Sequence, residues 1–381
     1  MGRFRLRRGN INWTTLNFVV GYHVALLVAL PFYFIYAPPS LALVLVSVAL
    51  LFVTTIGITA GYHRLYSHRA YKANRVFEGA MLTLGTLAIQ GNALEWAADH
   101  RRHHAKVDTD EDPYSIRKGF WYAHVLWMFE KPGSLDESTV TDLMRNPLLR
   151  FQHRHFGWLA FGGNLLLALL VGWAVGDFLG AFVLAFWTRL AVSHHFTWFI
   201  NSAAHTWGER TYSREHSAVD NFLLALVTVG EGYHNYHHTF ASDYRNGVRW
   251  YHFDPGKWTI WLGSKLGMTY GLKRYSPWVI QRRLLQADRH MLLERVRTQF
   301  HDRRQAMEAR ITAVSESIQH KLQRLHELNE AMKKARAERR AAGRRHLRAL
   351  REEFNALKRS LRHDRRTWYE LCGAVLEPAT A

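Results

Sequence analysis

Histidine is concentrated in four short stretches of the chain. They read His-Arg-Leu-Tyr-Ser-His, His-Arg-Arg-His-His, Asn-Ser-Ala-Ala-His and His-Asn-Tyr-His-His, and their histidines are His63, His68, His100, His103, His104, His205, His234, His237 and His238. Imidazole nitrogen is a good ligand for iron, zinc, copper and nickel. Because residues three and four apart share one face of a helix, a helical stretch can direct two or three ligand atoms to one point. A structural zinc ion takes four ligands, so nine candidates predict two metal ions.

The adjacent pair His194 and His195 is interpreted differently. It lies inside an apolar run, one turn or more before Asn201. We expect these two side chains to be structural or to stand behind the metal ligands rather than to bind metal themselves.

Two pairs of long apolar runs predict membrane spans. The runs cover residues 14–36, 41–60, 158–175 and 178–200. Each is long enough to cross about 30 Å of hydrocarbon, so we expect four transmembrane helices. Arg189 falls inside the last run, where an arginine is tolerated only if it pairs, snorkels or faces the protein interior.

The basic N-terminus, residues 1–13, predicts the orientation of these spans. Because arginine favours the cytoplasmic side, four spans place both termini, residues 61–157 and everything after residue 200 in the cytoplasm. All nine histidines then lie on one side. We expect an all-α, multi-pass integral membrane protein in which residues 14–280 include a cytoplasmic helical cap that holds the metal. The composition of the C-terminal part favours a bacterial inner membrane.

Residues 281–381 form a basic extension. Between residues 282 and 370 there are 24 Lys and Arg against 12 Asp and Glu, and Ile311, Ile318, Leu325 and Met332 recur every seven residues. This spacing predicts a helical, coiled-coil segment. Its role is open between a solvated helix pair or homodimer contact, attachment to anionic membrane lipids, and docking of an acidic electron carrier. Nucleic-acid binding is disfavoured because no base-stacking aromatic pattern accompanies the charge.

Cys372 is the single cysteine in the sequence. It excludes an internal disulfide and any cysteine-held zinc or iron–sulfur centre. A ferrous pair with neutral imidazole ligands can bind dioxygen, and oxygen activated there can remove hydrogen from an unactivated methylene group. Electrons must then come from a separate donor, and a metal centre against a membrane indicates a lipid substrate.

Five runs occur together in one order, at residues 61–73, 95–104, 112–125, 201–208 and 230–245. The first reads G-Y-H-R-L-Y-S-H-R-A-Y-K-A and the last G-E-G-Y-H-N-Y-H-H-T-F-A-S-D-Y-R. Together they resemble the membrane fatty-acyl desaturases of the stearoyl-CoA, delta-9 type, and the likeness extends from about residue 40 to 262. The resemblance implies four spans, two irons in a cytoplasmic cap, dioxygen as co-substrate and a cis double bond placed in a saturated acyl chain.

Carried over by position, the resemblance also assigns individual residues. It implies that the nine histidines are the iron ligands and that Asn201 holds one iron through a water. Trp198 matches a tryptophan that lines the acyl site. The His-Pro-Gly-Gly haem signature of an appended cytochrome b5 domain does not occur in the sequence. A ferredoxin-, rubredoxin- or cytochrome b5-type protein with its reductase is the expected donor.

The chain departs from animal members of this family at the coenzyme A head group. Those members have an arginine where this chain has Ala98 before Asp99, and an Arg-Lys pair where it has Glu130 before Lys131. Each lost positive charge weakens a phosphate contact by roughly 1–3 kcal/mol. Asp99 and Lys131 remain candidate substrate contacts. Acyl-CoA is the first expectation for the substrate, and acyl chains on phospholipid or a carrier protein are the alternatives.

Two other functions compete with desaturation. A related di-iron fatty-acyl hydroxylase would use the same chemistry to add oxygen, but relatives of that kind more often have His-x3-His and His-x3-His-His boxes. A metal transporter would place its ligands within the spans, whereas these stretches lie beyond the ends of the apolar runs. Desaturation is therefore the function that the sequence favours.

Overall fold

Helices make up most of the chain that the computed structural model describes, residues 8–131, 133–300, 303–337 and 341–376. In chain order the α-helices are α1 (Trp13–Tyr36), α2 (Leu41–Ile56), α3 (Arg75–Leu87), α4 (Ala93–Lys106), α5 (Phe120–His124), α6 (Thr141–Met144), α7 (Pro147–Val175), α8 (Phe178–Gly180), α9 (Arg189–Ser202), α10 (Phe222–Val227), α11 (His234–Thr239), α12 (Pro255–Lys265), α13 (Pro277–Gln299), α14 (Arg304–Ala337) and α15 (Ala341–Leu376). The π-helical segments are Gly57–Ser67 and Ala181–Thr188, and the 3-10 segments are Arg8–Asn10, Ile116–Lys118, Leu126–Phe129, Glu137–Val140 and Ala203–His205. Strands β1 (Lys72–Ala73) and β2 (Thr269–Tyr270) pair antiparallel.

Short polar side chains begin several of these helices. Asn12, Ser40, Asn74 and Asn92 each accept a hydrogen bond from a backbone N–H in the first turn of α1, α2, α3 and α4 respectively. Such caps satisfy N–H groups that have no partner inside the helix. The sequence thus sets the start of each helix locally, before any packing is considered.

Three helices in the described residues are long and apolar enough to cross a membrane. They are Trp13–Tyr36, the run Leu41–Ser67 formed by α2 and the π-helical segment after it, and Pro147–Val175. In the apolar part of these helices, 22%, 33% and 28% of the residues respectively are buried. Most of the side chains there therefore face outward, as they would toward lipid. Three of the four predicted spans therefore correspond to helices of suitable length and composition. The helices extend beyond the predicted span boundaries, because α7 starts at Pro147 and the helical run after α2 continues to Ser67. The boundaries of the spans themselves stay a prediction.

The fourth predicted span is helical, with a π-helical segment between two α-helical ones. Residues 178–202 run through α8, a π-helical segment and α9, and this stretch is not among the three long apolar helices. Arg189 is buried in it, and its guanidinium donates to the Ala185 carbonyl oxygen at 2.8 Å, to Thr54 Oγ1 at 3.1 Å and to the Asn164 side chain. Arg189 therefore faces the protein interior, which is one of the conditions under which an arginine is tolerated there.

An apolar core connects the helices that carry the histidines. Tyr62, Leu94, Ala97 and Leu149 are fully buried in one cluster formed by the π-helical segment after α2, by α4 and by α7. Because close-packed interiors are hardly compressible, this cluster holds the first two histidine stretches at a fixed distance from each other.

The C-terminal extension belongs to a second compact unit, formed by Thr211–Arg214 and Tyr275–Ala381. In its described residues α13, α14 and α15 pack on one another around Leu292 and Trp368. The predicted heptad residues Ile311, Ile318, Leu325 and Met332 are buried. The heptad face is thus filled within one chain, which leaves less apolar surface for the predicted homodimer, and that homodimer stays a prediction.

Candidate metal centre

His63 and His68 lie on and directly after the π-helical segment that continues α2. The His68 N–H donates to the His63 carbonyl oxygen over 3.1 Å, a hydrogen bond that spans five residues. In an α-helix, residues five apart point to different faces, but the wider π turn brings them together, and these two rings lie 4.8 Å apart. Single π turns are frequent at functional sites. This geometry explains how a His-x4-His spacing supplies two ligands to one place.

Helix α4 carries the next three histidines in its second half. His100, His103 and His104 stand three and four residues apart on this regular α-helix, as the sequence predicts. Arg101 points elsewhere, donating to backbone carbonyls of the π-helical segment and to the Asp142 carboxylate at 2.7 Å. Arg101 therefore ties α4 to the segment that carries the first two ligands.

The remaining four histidines come from two short elements. His205 ends the 3-10 segment that follows α9, and His234, His237 and His238 lie on the six-residue helix α11. The rings of His205 and His234 lie 4.9 Å apart. The third and fourth stretches thus meet although 29 residues separate these two histidines along the chain.

All nine rings are gathered into two adjoining groups. The first group is His63, His68, His100, His104 and His237, and the second is His103, His205, His234 and His238; within each group the ligand atoms lie within 4.8 Å of one another. The Nε2 atoms of His68 and His100 are 2.8 Å apart, and those of His205 and His234 are 3.1 Å apart. Two nitrogens bound side by side to one ion at about 2.1 Å are separated by about 3 Å.

The Nδ1 atoms on the outer side of the rings show where the protons are. His63 Nδ1 faces the Glu231 carboxylate at 3.0 Å, and His103 Nδ1 faces the Asp112 carboxylate at 2.9 Å. Because an ionised carboxylate only accepts hydrogen bonds, Nδ1 carries the proton in both rings and Nε2 presents a lone pair inward. Buried lone pairs that point at one another are favourable only with a cation between them. The donor set therefore fits two transition-metal ions.

Burial keeps the ligand rings neutral. It lowers the pKa of seven of these histidines well below the ordinary value, and neighbouring basic groups lower the pKa further. The seven are His68, His100, His104, His205, His234, His237 and His238. Neutral imidazole is the form that binds metal. These seven rings are therefore in the metal-binding form at neutral pH.

A buried ion network lies behind the first group. Arg64 is almost completely enclosed and contacts Glu231 at 3.1 Å and Asp254 at 2.9 Å. Burial raises the pKa of the Glu231 carboxyl, but the guanidinium of Arg64 and the hydrogen bonds from His63 and Thr59 outweigh burial and lower it to about 2. Glu231 thus remains ionised and holds the His63 ring in one orientation.

Comparison with known proteins identifies the family. Residues 38–262, which include all nine histidines, match the family model for fatty acid desaturases. The chain belongs to the fatty acid desaturase family.

The names of relatives in this family specify different acyl carriers. The chain is 41% identical over 287 residues to a probable acyl-CoA desaturase of Schizosaccharomyces pombe and 36% identical over 287 residues to acyl-CoA desaturase 1 of Saccharomyces cerevisiae; these matches cover 74% and 73% of the chain but only 59% and 55% of the relatives. It is 38% identical over 276 residues to the sn-2 palmitoyl-lipid 9-desaturase of Nostoc, with 70% of the chain and 93% of that relative covered.

Two residues that the desaturase resemblance assigns lie one turn apart near the end of α9. Asn201 is half-buried, four residues before His205, and Trp198 is buried. The Trp198 ring lies 4.9 Å from the ring of His195 and 5.7 Å from that of His124. A water-mediated iron contact of Asn201 and an acyl contact of Trp198 stay predictions.

The residues predicted near the acyl carrier have partners within the chain. Asp99 accepts from Arg102 at 2.6 Å, and Lys131 Nζ donates to the Gly9 carbonyl oxygen at 2.9 Å. Glu130, where animal desaturases have arginine, accepts from the Tyr122 hydroxyl at 3.0 Å. Substrate contacts of Asp99 and Lys131 stay predictions.

The pair His194 and His195 lies in neither ligand group. His194 Nδ1 is 2.9 Å from the Tyr22 hydroxyl, and His195 Nε2 is 3.1 Å from His23 Nε2. These contacts connect α9 to α1, which agrees with a structural interpretation.

The acidic residues that contact the ligand rings are not among the residues predicted from the sequence. Glu231 stands three residues before His234, and Asp112 begins the run at 112–125, yet nothing in their spacing shows which ring each one meets. Asp108 acts through Ser217, whose hydroxyl lies 2.7 Å from His205 Nδ1. A carboxylate close in sequence to a histidine stretch was the available signal, because metal-bound histidines usually donate their second N–H to such a group.

Gly230 offers a test of how the chain approaches α11. Its φ is +99°, and a Cβ placed there would lie 2.8 Å from Asp254 Cα. We expect Gly230→Ala to lower the free energy of unfolding by about 2 kcal/mol or more, since backbone strain and overlap add. Gly271→Ala is the control, because its φ is +62° but the nearest atoms to an added Cβ lie 3.9 Å away. Equal melting temperatures for the two variants in detergent would contradict the overlap.

Proposed function

We propose that the chain is an oxygen-dependent fatty-acyl desaturase that places a cis double bond at delta-9 in a saturated acyl chain. The observation that carries the proposal is the convergence of nine histidine Nε2 atoms into a group of five and a group of four without a carboxylate among the ligands. Family membership supports the same activity. Two irons held by these groups would supply oxygen activation strong enough to remove hydrogen from unactivated methylene carbons.

The reaction sets what the surrounding residues must do. One dioxygen takes two hydrogen atoms from the acyl chain together with two electrons and two protons, and two waters are released. The nine imidazoles would hold the metal, and Asn201 would bind one ion through a water. Trp198, one turn before Asn201, is proposed to line the acyl chain.

Two electrons must come from a partner protein. We propose an external ferredoxin-, rubredoxin- or cytochrome b5-type donor with its reductase. The extension from residue 281 is basic, and charge of that sign steers an acidic carrier at long range. Anionic membrane lipids are a second candidate for the same charge.

The acyl carrier is proposed to be coenzyme A, with phospholipid as the alternative. The two fungal relatives are named acyl-CoA desaturases, whereas the Nostoc relative is named for a lipid-bound acyl chain. Ala98 and Glu130 replace basic residues of animal members, which weakens the argument for a CoA phosphate contact at those two positions.

We propose a multi-pass membrane protein with four spans and both termini in the cytoplasm. Three apolar helices and the lipid chemistry of the relatives support membrane insertion. The similar proteins come from fungi, cyanobacteria and animals, so they do not support the bacterial inner membrane expected from composition.

Product analysis tests the proposed reaction. Membranes that contain the chain, a reductase system and labelled stearoyl-CoA or stearoyl-phospholipid are incubated with oxygen, and the acyl products are analysed by mass spectrometry. Loss of two hydrogen atoms with a double bond at carbon nine is the expected result. Gain of one oxygen atom without a double bond would reject desaturation in favour of the hydroxylase, and the labelled carrier that reacts faster identifies the substrate.

A further inference from the structure

The two ligand groups differ in the charges behind them as well as in their number of histidines. Behind the five-histidine group, the ionised Glu231 that contacts His63 is paired with Arg64, and Arg64 also contacts Asp254. Arg64 therefore balances the charge of the carboxylate that contacts the ligand ring.

Behind the four-histidine group, the acidic groups have no such balance. Asp112 is buried, contacts His103 Nδ1 at 2.9 Å and accepts from the backbone N–H of Tyr114 at 3.2 Å. Asp108 accepts from the Ser217 N–H and hydroxyl, and that hydroxyl lies 2.7 Å from His205 Nδ1. Among the described residues, no Lys or Arg lies within ion-pair distance of Asp108 or Asp112.

One cation acts on this region from farther away. Arg210 is exposed, and its charge acts on His205. At a solvent-exposed position such a charge is screened by water and salt, so it does not replace a buried ion pair. The four-histidine group therefore has fewer ligands and more negative charge around it.

A carboxylate that accepts the second N–H of a ligand imidazole makes the ring a stronger donor, and loss of such a partner typically lowers metal affinity 10–100-fold. A cation paired with the same carboxylate reduces this increase in the donor strength of the ring. Ligand number alone favours the group of five, whereas the unbalanced charge favours the group of four. The two influences act in opposite directions, so the order of filling reports which one is larger.

We propose that Asp112, supported by Asp108, is a positioning residue that makes the four-histidine group the tighter of the two metal positions. Glu231 has the same contact with its ligand, but Arg64 neutralises it. This inference rests on the proposed di-iron site and concerns the inequality of its two halves.

The test is the order in which metal fills the purified full-length chain. Apoprotein receives one equivalent of Zn²⁺, which binds imidazole and does not change oxidation state, and anomalous diffraction or metal density in electron cryomicroscopy shows which group holds it. We expect the four-histidine group to fill first. Asp112→Asn should lower its affinity by about 10–100-fold and direct the first equivalent to the five-histidine group.

Glu111→Gln is the matched control. Glu111 is the neighbour of Asp112 in sequence, but it is exposed and pairs with Lys106, so its change should leave the order as in the wild type. Circular dichroism of the three proteins shows whether Asp112→Asn is folded. An Asp112→Asn protein that has lost its helix signal is replaced in the test by Asp108→Asn, which is expected to act in the same direction through Ser217.

The outcomes separate this inference from the proposed activity. Filling of the five-histidine group first in the wild type, or an unchanged order in folded Asp112→Asn, would overturn the inference and leave desaturation intact. Zn²⁺ bound in the expected order by a protein that makes no double bond would do the reverse. Failure of the wild type to bind metal at either group would overturn both.

Discussion

Replacing His237 by alanine is expected to abolish desaturation while the protein still inserts into membranes. His237 belongs to the five-histidine group, and its Nε2 lies 2.9 Å from those of both His63 and His104. Its loss removes a ligand and leaves a buried gap that alanine cannot fill. We expect turnover to fall by at least about 100-fold, with the iron content reduced by about one ion per chain. Product analysis and metal analysis of the purified variant check both numbers.

His103→Ala provides the companion experiment in the four-histidine group. His103 Nε2 lies 3.3 Å from His238 Nε2, and the expected loss of activity and of one iron is the same. His290→Ala is the control, because His290 is an exposed histidine of α13 whose contact is with Glu294. It should keep full activity and both irons. A fully active His237→Ala or His103→Ala protein would show that the ligand assignment is wrong.

The helical spacing of one histidine stretch was predictable because the signal is local. His100, His103 and His104 sit at helical spacing, and an α-helix is what the structure has there. His63 and His68 do not have helical spacing, and the sequence alone gave no sign of the π turn that brings them together. The division of the nine histidines into five and four was also out of reach. It depends on the packing of α4 against α11, so that His104 joins one group while its neighbour His103 joins the other.

Long-range polar contacts were equally hidden in the sequence. In the sequence, Arg64 is a basic residue near the predicted end of a span, and nothing close to it indicates an ion pair. Its partners Glu231 and Asp254 stand 167 and 190 residues away. The heptad pattern of the extension did predict helices and a buried apolar face. It did not show that α13, α14 and α15 bury this face among themselves, because a heptad repeat is the same whether the partner helix belongs to the same chain or to another.

Arg64→Met is expected to have the largest effect on stability of any substitution away from the ligands. Arg64 is 1% exposed and lies between two carboxylates, so its removal leaves Glu231 and Asp254 buried without a compensating charge. Breaking a buried ion pair by removing one partner costs about 3–5 kcal/mol. We expect a markedly lower melting temperature in detergent. Tryptophan fluorescence during heating measures this temperature.

Two further variants show whether that loss comes from charge or from packing. Arg75→Met removes an exposed arginine that pairs with Glu78 at 3.1 Å, and should change stability by at most about 1 kcal/mol. Adding Glu231→Gln to Arg64→Met removes one of the two stranded charges, so the double variant should melt above Arg64→Met even though it contains one more substitution. If the second substitution lowers the melting temperature further, the ion network is not what stabilises this part of the protein, and the packing of the Arg64 side chain is the better explanation.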